Sequence, residues 1–137
     1  MGPSDAVRSV LSQYAGFGGR ASRSEYWWWI GATFALYLLM WVFIAIAPEI
    51  GSVLYAVVLL ALIIPGLAVA VRRLHDTGRS GWWLLVAFIP IVGAIVLLIF
   101  LVLDSENAPN RWGLPPPGSR YHQPAMAPLP PPPTSPK

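Results

Sequence analysis

Uninterrupted apolar stretches dominate the pattern of hydrophobic and polar positions along this chain. Three stretches contain no Asp, Glu, Lys, Arg or His, and they cover residues 26–47, 51–71 and 82–103. Each can cross about 30 Å of hydrocarbon as a helix that rises about 1.5 Å per residue. Helices that are apolar on every face would need a polar shell in a soluble protein, and this chain has too few polar residues to build one. The pattern predicts an all-α membrane protein with three transmembrane helices.

The third stretch differs from the other two because Pro90 and Gly93 lie near its middle. Proline removes a backbone N–H and glycine lowers helix propensity, so both residues weaken a continuous helix. A re-entrant hairpin, which enters and leaves the membrane on one side, is therefore an alternative to a third span. The two arrangements differ in the side on which the C-terminal tail emerges. Three spans remain the preferred prediction.

Residues 1–25 form the predicted region before the first span. Apolar residues within 4–14 recur at spacings that share one helical face, which predicts a short interfacial helix. The glycine-rich residues 16–19 then allow the chain to turn. Ser22 and Glu25 fit a capping box, in which each side chain bonds the other residue's backbone N–H. The first transmembrane helix is therefore expected to begin at about residue 23.

Charge is scarce and unevenly placed. Only 11% of the residues are charged, against roughly 25% in soluble domains. The loop between the first two apolar stretches contains Glu49 but no Lys or Arg, whereas arginines precede the first stretch and fill the loop before the third. Since positively charged short loops stay in the cytoplasm, we expect a multi-pass protein of the bacterial plasma (inner) membrane with a cytoplasmic N-terminus. Under the three-span arrangement, the C-terminus would be external.

Proline dominates the end of the chain. The predicted tail covers residues 104–137, and ten of the 15 prolines lie from Pro115 onward. Such a segment is typical of polyproline II or disordered structure. The run 128–131 matches the PxxP pattern of peptides that bind aromatic grooves, but a solvated tail is the simpler interpretation.

The loop after the second apolar stretch has the most chemical character. If the second helix continues to Asp76, then Arg72 lies four residues and Arg73 three residues before that carboxylate, so one anion could neutralise both cations. Gly78 suits the left-handed conformation that ends a helix. Two tryptophans at positions 82 and 83 then return the chain to the depth of the lipid headgroups.

Four stretches together resemble a known family. They are Gly19–Trp27, Arg72–Trp83, Ile89–Gly93 and Asn110–Gly113. In this order they closely resemble the small bacterial membrane proteins known as domain of unknown function 805, over roughly residues 11–116. Trp112 stands where the family usually has Phe or Tyr, and Leu114-Pro115 replaces its usual Pro-Asp. The resemblance implies a location in the inner membrane and no established activity.

Catalysis is not expected from these residues. The pair His75-Asp76 invites comparison with metal-dependent phosphohydrolases, but the only other histidine is His122, in the tail. The remaining carboxylates do not assemble by spacing into a dyad or a metal site, and the chain has no cysteine. No ionisable residue inside an apolar stretch marks an ion pathway. We therefore expect no enzyme activity, no metal or other cofactor and no nucleic-acid partner.

Two functional hypotheses remain. In the first, the protein is a binding or regulatory module whose cytoplasmic Arg/Trp loop engages anionic lipid or a membrane protein partner. In the second, it is an architectural or oligomeric membrane component, or a subunit of a transport assembly, and the same residues only set topology. The candidate lipid- or partner-binding residues are Arg20, Arg23, Arg72, Arg73, His75, Asp76, Arg79, Trp82 and Trp83. The candidate structural residues are Ser22, Glu25, Pro65, Gly78, Pro90 and Gly93.

Overall fold

A computed structural model describes residues 1–121, which form five helices and no strand. The helices are α1 (Pro3–Ser12), α2 (Arg23–Ile46), α3 (Pro48–Asp76), a 3₁₀ helix (Gly81–Phe88) and α4 (Val92–Val102). The predicted all-helical class is confirmed. His122 and the PxxP run at 128–131 lie outside the described residues.

The first helix packs against the long helices through its apolar face. Ala6 and Val10 are fully buried, and Val10 joins a core that includes Trp29 and Val69. The sequence pattern thus located the helix, although Leu11 and Tyr14 of its predicted apolar face are exposed. Its placement at the membrane interface stays a prediction.

Two long apolar helices form an antiparallel pair. α2 has 24 residues and α3 has 29, so both exceed the roughly 20 residues needed to span a bilayer. Ala47 alone separates them, and Gly51 then permits a close approach because a Cβ there would lie 2.6 Å from the backbone nitrogen of Ile44. α3 runs without a break through Pro65, one of the candidate structural residues, which is buried.

The third apolar stretch does not form the single transmembrane helix that was predicted. Its first part is the 3₁₀ helix, and the chain then turns at Pro90 before α4. The two parts pack against each other: the rings of Trp83 and Phe100 meet edge to face at 5.2 Å, and a Cβ on Gly93 would lie 1.8 Å from the carbonyl oxygen of Val86. The stretch is therefore a helical hairpin rather than one continuous helix, which corrects the preferred prediction. Whether this hairpin re-enters the membrane stays a prediction.

Residues 104–113 also depart from the predicted tail. Instead of extending freely, they fold back over the C-terminal end of α3. The backbone N–H of Glu106 donates to the carbonyl of Asp76 at 2.8 Å, and the Asn110 side chain donates to the carbonyl of His75 at 3.0 Å. The predicted tail boundary at residue 104 is therefore wrong for residues 104–113, because this segment supplies partners for a helix end.

The protein core lies at one end of the bundle. Buried apolar residues cluster near the start of α2 and the ends of α3 and α4, as with Tyr26, Ala70 and Leu101. Farther along, large apolar side chains of the long helices are exposed, including Trp41 at 62% and Leu60 at 68%. A continuous exposed apolar surface of this extent is typical of helices that contact lipid.

Candidate functional site

Asp76, at the C-terminal end of α3, is the centre of a buried polar network. Its carboxylate accepts hydrogen bonds from Arg20 Nε at 2.9 Å, from Arg73 Nη1 and from the Ser105 hydroxyl. The side chains of Arg20, Arg73 and Asp76 are at most 1% exposed. One carboxylate thus compensates two buried guanidinium groups, which would otherwise carry a large desolvation cost.

Arg73 uses its remaining donors on backbone carbonyls. It donates to the carbonyls of Leu101 at 3.1 Å and Ala21 at 3.3 Å, and also to that of Leu103. The last carbonyls of a helix have no partner within that helix, and a cation there is favourable. Arg73 therefore connects the end of α4 with α3 and with the segment before α2. It can make all of these contacts because a guanidinium has five N–H donors.

Arg20 makes the corresponding connection on the other side of Asp76. Its terminal nitrogens donate to the Asp76 carbonyl at 3.2 Å, to the Ala108 carbonyl at 2.8 Å and to the Glu106 carbonyl. The side chain thereby holds the folded-back segment against the end of α3. The sequence suggested that Arg20 lies near the loop arginines, but not that it shares their carboxylate.

Arg72 does not pair with Asp76 as predicted. Its Nη1 donates instead to Glu25 Oε1 on α2 at 2.9 Å, and that oxygen also accepts from the Ser9 hydroxyl at 3.0 Å. Successive helix residues point about 100° apart, so Arg72 and Arg73 face different neighbours. Within the described residues, Arg72 Nε and Nη2 have no hydrogen-bond partner.

The start of α2 confirms half of the predicted capping box. The Ser22 hydroxyl accepts from the backbone N–H of Glu25 at 3.1 Å. The Glu25 carboxylate does not return to the Ser22 backbone, because it is engaged by Arg72 and Ser9. Glu25 therefore connects helices rather than completing the cap.

His75 is held by structural contacts. Its Nδ1 lies 3.0 Å from the Gly19 carbonyl oxygen, and its ring stacks on Trp112 with centroids 4.3 Å apart. The Arg111 guanidinium lies over the Trp112 ring, 4.1 Å from its centroid. Among residues 1–121, no three His, Cys, Asp or Glu side chains group closely enough to hold a metal ion.

The other predicted binding residues lie nearer the surface. Arg23 pairs with Asp104 at 2.8 Å and is half-exposed, while Arg79 lies 4.1 Å above the Phe100 ring. Trp82 and Trp83 are 78% and 44% exposed. The structure thus divides the nine predicted residues into a buried network (Arg20, Arg72, Arg73, His75 and Asp76) and a surface group (Arg23, Arg79, Trp82 and Trp83).

The remaining structural candidates occupy turns. Gly78 has a left-handed φ of +73° two residues after the end of α3, as predicted. The backbone N–H groups of Gly78 and the next residue donate to carbonyls in the last turn of the helix. Pro90 lies in the hairpin turn, and Gly93 lies in the first turn of α4. Sequence reasoning missed Ser9 and Ser105, which complete the two carboxylate sites. A hydroxyl hydrogen-bonding to a carboxylate far along the chain leaves no sequence signal.

Comparison with known proteins places these residues in a family. A sequence profile described as "Protein of unknown function (DUF805)" matches residues 14–114. The chain belongs to the DUF805 family. This confirms the resemblance inferred from the four stretches, and it covers every residue of the network except Ser9. Three of those stretches, all but residues 89–93, meet at Asp76 and His75 in the folded chain.

Two curated relatives of this DUF805 protein are named as bacterial inner membrane proteins. The chain is 43% identical to "Inner membrane protein YhaI" of Escherichia coli (strain K12), over 77% of this chain and 89% of that protein. It is 37% identical to "Inner membrane protein YhaH" of the same strain, over 80% of this chain and 93% of that protein. No solved structure gives a significant match. The chain is therefore a membrane protein of a family without an established activity.

Proposed function

We propose that this protein is a non-catalytic binding module of the bacterial inner membrane, which engages anionic lipid through the end of the bundle that carries its arginines. In this proposal the buried network is the scaffold and the exposed arginines and tryptophans around it are the binding surface. α2 and α3 cross the membrane, the hairpin re-enters it, and the arginine-rich end faces the cytoplasm.

The distribution of charge carries the proposal. All eight arginines of residues 1–121 lie at the end of the bundle that contains Asp76, whereas Glu49 is the one charged residue of those 121 at the opposite turn. Five carboxylates share the arginine end, so a net positive charge remains there. Anionic lipids attract such juxtamembrane charge by about 1 kcal/mol per Lys or Arg near the surface.

Burial decides which arginines can contribute. Internal ion pairs occupy the side chains of Arg20, Arg72 and Arg73. We therefore assign the lipid-binding role predicted for these residues to the exposed arginines instead. The exposed arginines are Arg8, Arg23, Arg111 and Arg120. The exposed Trp82 and Trp83 add aromatic rings at the same end, where amphipathic side chains favour the headgroup region.

The absence of a catalytic role is part of the same proposal. Glu25, His75 and Asp76 combine burial with polar chemistry, but each is engaged by partners that join helices. A general acid or base needs to reach a substrate, and these groups are covered by the segments that they hold. Their chemistry is therefore proposed to be structural.

The test compares lipid retained by the purified protein. Gln in place of Arg8, Arg23, Arg111 and Arg120 should lower the ratio of phosphatidylglycerol and cardiolipin to phosphatidylethanolamine in the co-purified lipid. Glu49→Gln, at the opposite end, is the control and should leave the ratio unchanged. An unchanged ratio in a folded fourfold variant would overturn the proposal and favour the architectural alternative.

A further inference from the structure

A polar cavity of about 440 Å³ lies at the start of α2. It is enclosed by residues 22–24, by the segment that follows α4, and by residues 116–120. Its volume falls within the roughly 300–1,000 Å³ typical of small-molecule sites. Ser24, Ser105 and Ser119 line it beside charged side chains. Ser105 also donates to Asp76, but none of the three side chains that form the ion pairs at Asp76 lines the cavity.

The charges in the cavity favour an anion. Arg23 and Arg120 line it together with the carboxylate of Asp104. The Arg23–Asp104 pair is 52% and 79% exposed, and exposed pairs contribute little to stability. Arg23 can therefore exchange its partner at small cost. Guanidinium groups bind phosphate oxygens through paired, charge-assisted hydrogen bonds.

An apolar groove adjoins this cavity. It is lined by Leu98, Ile99, Val102 and Leu103 from the end of α4, and by the same Arg23 and Asp104 that line the cavity. The Arg23–Asp104 ion pair thus lies at the boundary between the polar cavity and the apolar groove. A free phosphate would use only the first of these, whereas a phospholipid has a charged head joined to an apolar chain.

We infer that the cavity and groove together bind one anionic phospholipid, with its phosphate between Arg23 and Arg120 and an acyl chain along α4. This inference rests on the proposed function and adds a discrete site to it. Asp104 competes with the phosphate for Arg23, so it lowers the affinity of the site. Bulk attraction by the cationic end requires none of these three residues in particular.

Titration of the purified full-length protein with phosphatidylglycerol, followed by native mass spectrometry, tests the site. Arg23→Gln should weaken binding of the first lipid by about tenfold, the loss expected for a charge-assisted hydrogen bond. Asp104→Asn should strengthen it. The matched comparison is Arg8→Gln, which removes the same charge from α1 outside the cavity. Arg8 contributes only to the general attraction of the cationic end, so this variant should weaken binding of the first lipid clearly less than Arg23→Gln does.

A groove variant separates lipid from free phosphate. Ile99 is 52% exposed, so Ile99→Trp can fill the groove from outside without repacking the core. It should weaken phosphatidylglycerol binding and leave binding of glycerol 3-phosphate unchanged. Equal binding of glycerol 3-phosphate and phosphatidylglycerol would instead assign the cavity to free phosphate and overturn the inference.

The remaining outcomes are also decisive. If Arg23→Gln and Arg8→Gln weaken lipid binding equally, while the fourfold variant still loses anionic lipid, the discrete site is wrong and the proposed function stands. If the wild type shows no preference for anionic lipid at all, both fail. Thermal unfolding of each variant verifies that the exposed substitutions leave the fold intact.

Discussion

The hydroxyl of Tyr14 donates a hydrogen bond to the carbonyl of Ala61, on the outer surface of α3. That carbonyl would normally accept from the backbone N–H four residues later, but residue 65 is a proline and has none. A carbonyl without a partner is costly where lipid replaces water. Tyr14 therefore satisfies the group that Pro65 leaves open.

This relationship predicts a coupling between the two positions. Tyr14→Phe should destabilise the protein by about 1–3 kcal/mol, the cost of an acceptor left without a partner away from water. In a Pro65→Ala background, where the helix supplies its own N–H, the same substitution should have little effect. A double-mutant cycle of unfolding free energies in detergent measures this coupling. Tyr37→Phe is the matched control, since its hydroxyl makes no hydrogen bond to residues 1–121. Additive effects would contradict the account.

Removing the central carboxylate should be far more costly than removing an exposed one. Asp76→Ala leaves two buried guanidinium groups uncompensated, for which we expect a loss of about 3–5 kcal/mol. Asp104→Ala breaks a pair that is largely exposed and should cost less than about 1 kcal/mol. Thermal unfolding in detergent compares them. Similar melting temperatures for the two variants would refute the central role of Asp76.

The hairpin should tolerate no side chain at Gly93. A Cβ there would meet the backbone carbonyl of Val86, and backbone cannot move aside as a flexible side chain can. We expect Gly93→Ala to destabilise the protein by about 1–3 kcal/mol or more. Gly31→Ala is the control, because a Cβ at Gly31 meets nothing within 4 Å, and alanine in a helix is favourable by roughly 0.5–1 kcal/mol. Unfolding measurements with the opposite order would argue against the hairpin.

Topology reporters test the proposed arrangement in the membrane. Fusions after Asp5 and Asp76 should report a cytoplasmic location, and a fusion after Glu49 an external one. A fusion after Leu114 should also report the cytoplasm, because the hairpin returns the chain to the Asp76 end. An external Leu114 would support three full spans, and a cytoplasmic Glu49 would reverse the orientation.

Much of the local structure could be predicted because its causes are local. Apolar stretches longer than a bilayer core, the cap at Ser22 and the left-handed glycine at position 78 each depend on residues close in sequence. The N-terminal helix followed from the spacing of its apolar residues in the same way. The family could also be recognised, because its motifs are continuous strings of residues.

Choices between partners of similar chemistry could not be made from sequence. Spacing in the sequence allowed both Arg72 and Arg73 to reach Asp76, yet Arg72 pairs with Glu25. The second arginine that pairs with Asp76 is Arg20, which is 56 residues away in the sequence. Which acid neutralises which arginine depends on how the helices rotate and pack. That information is absent from any short window of sequence.

The sequence by itself determined an all-helical, arginine-asymmetric membrane protein, because hydrophobicity and charge act on each segment separately. Only the tertiary structure decided that the third stretch folds into a hairpin and that Arg20, Arg72 and Arg73 lie inside. A proline and a glycine permit a turn, but contacts between its two limbs make it favourable. Equally, an arginine near a membrane can face either lipid or a carboxylate. The arginine is buried only where the fold brings a carboxylate within hydrogen-bonding distance of it.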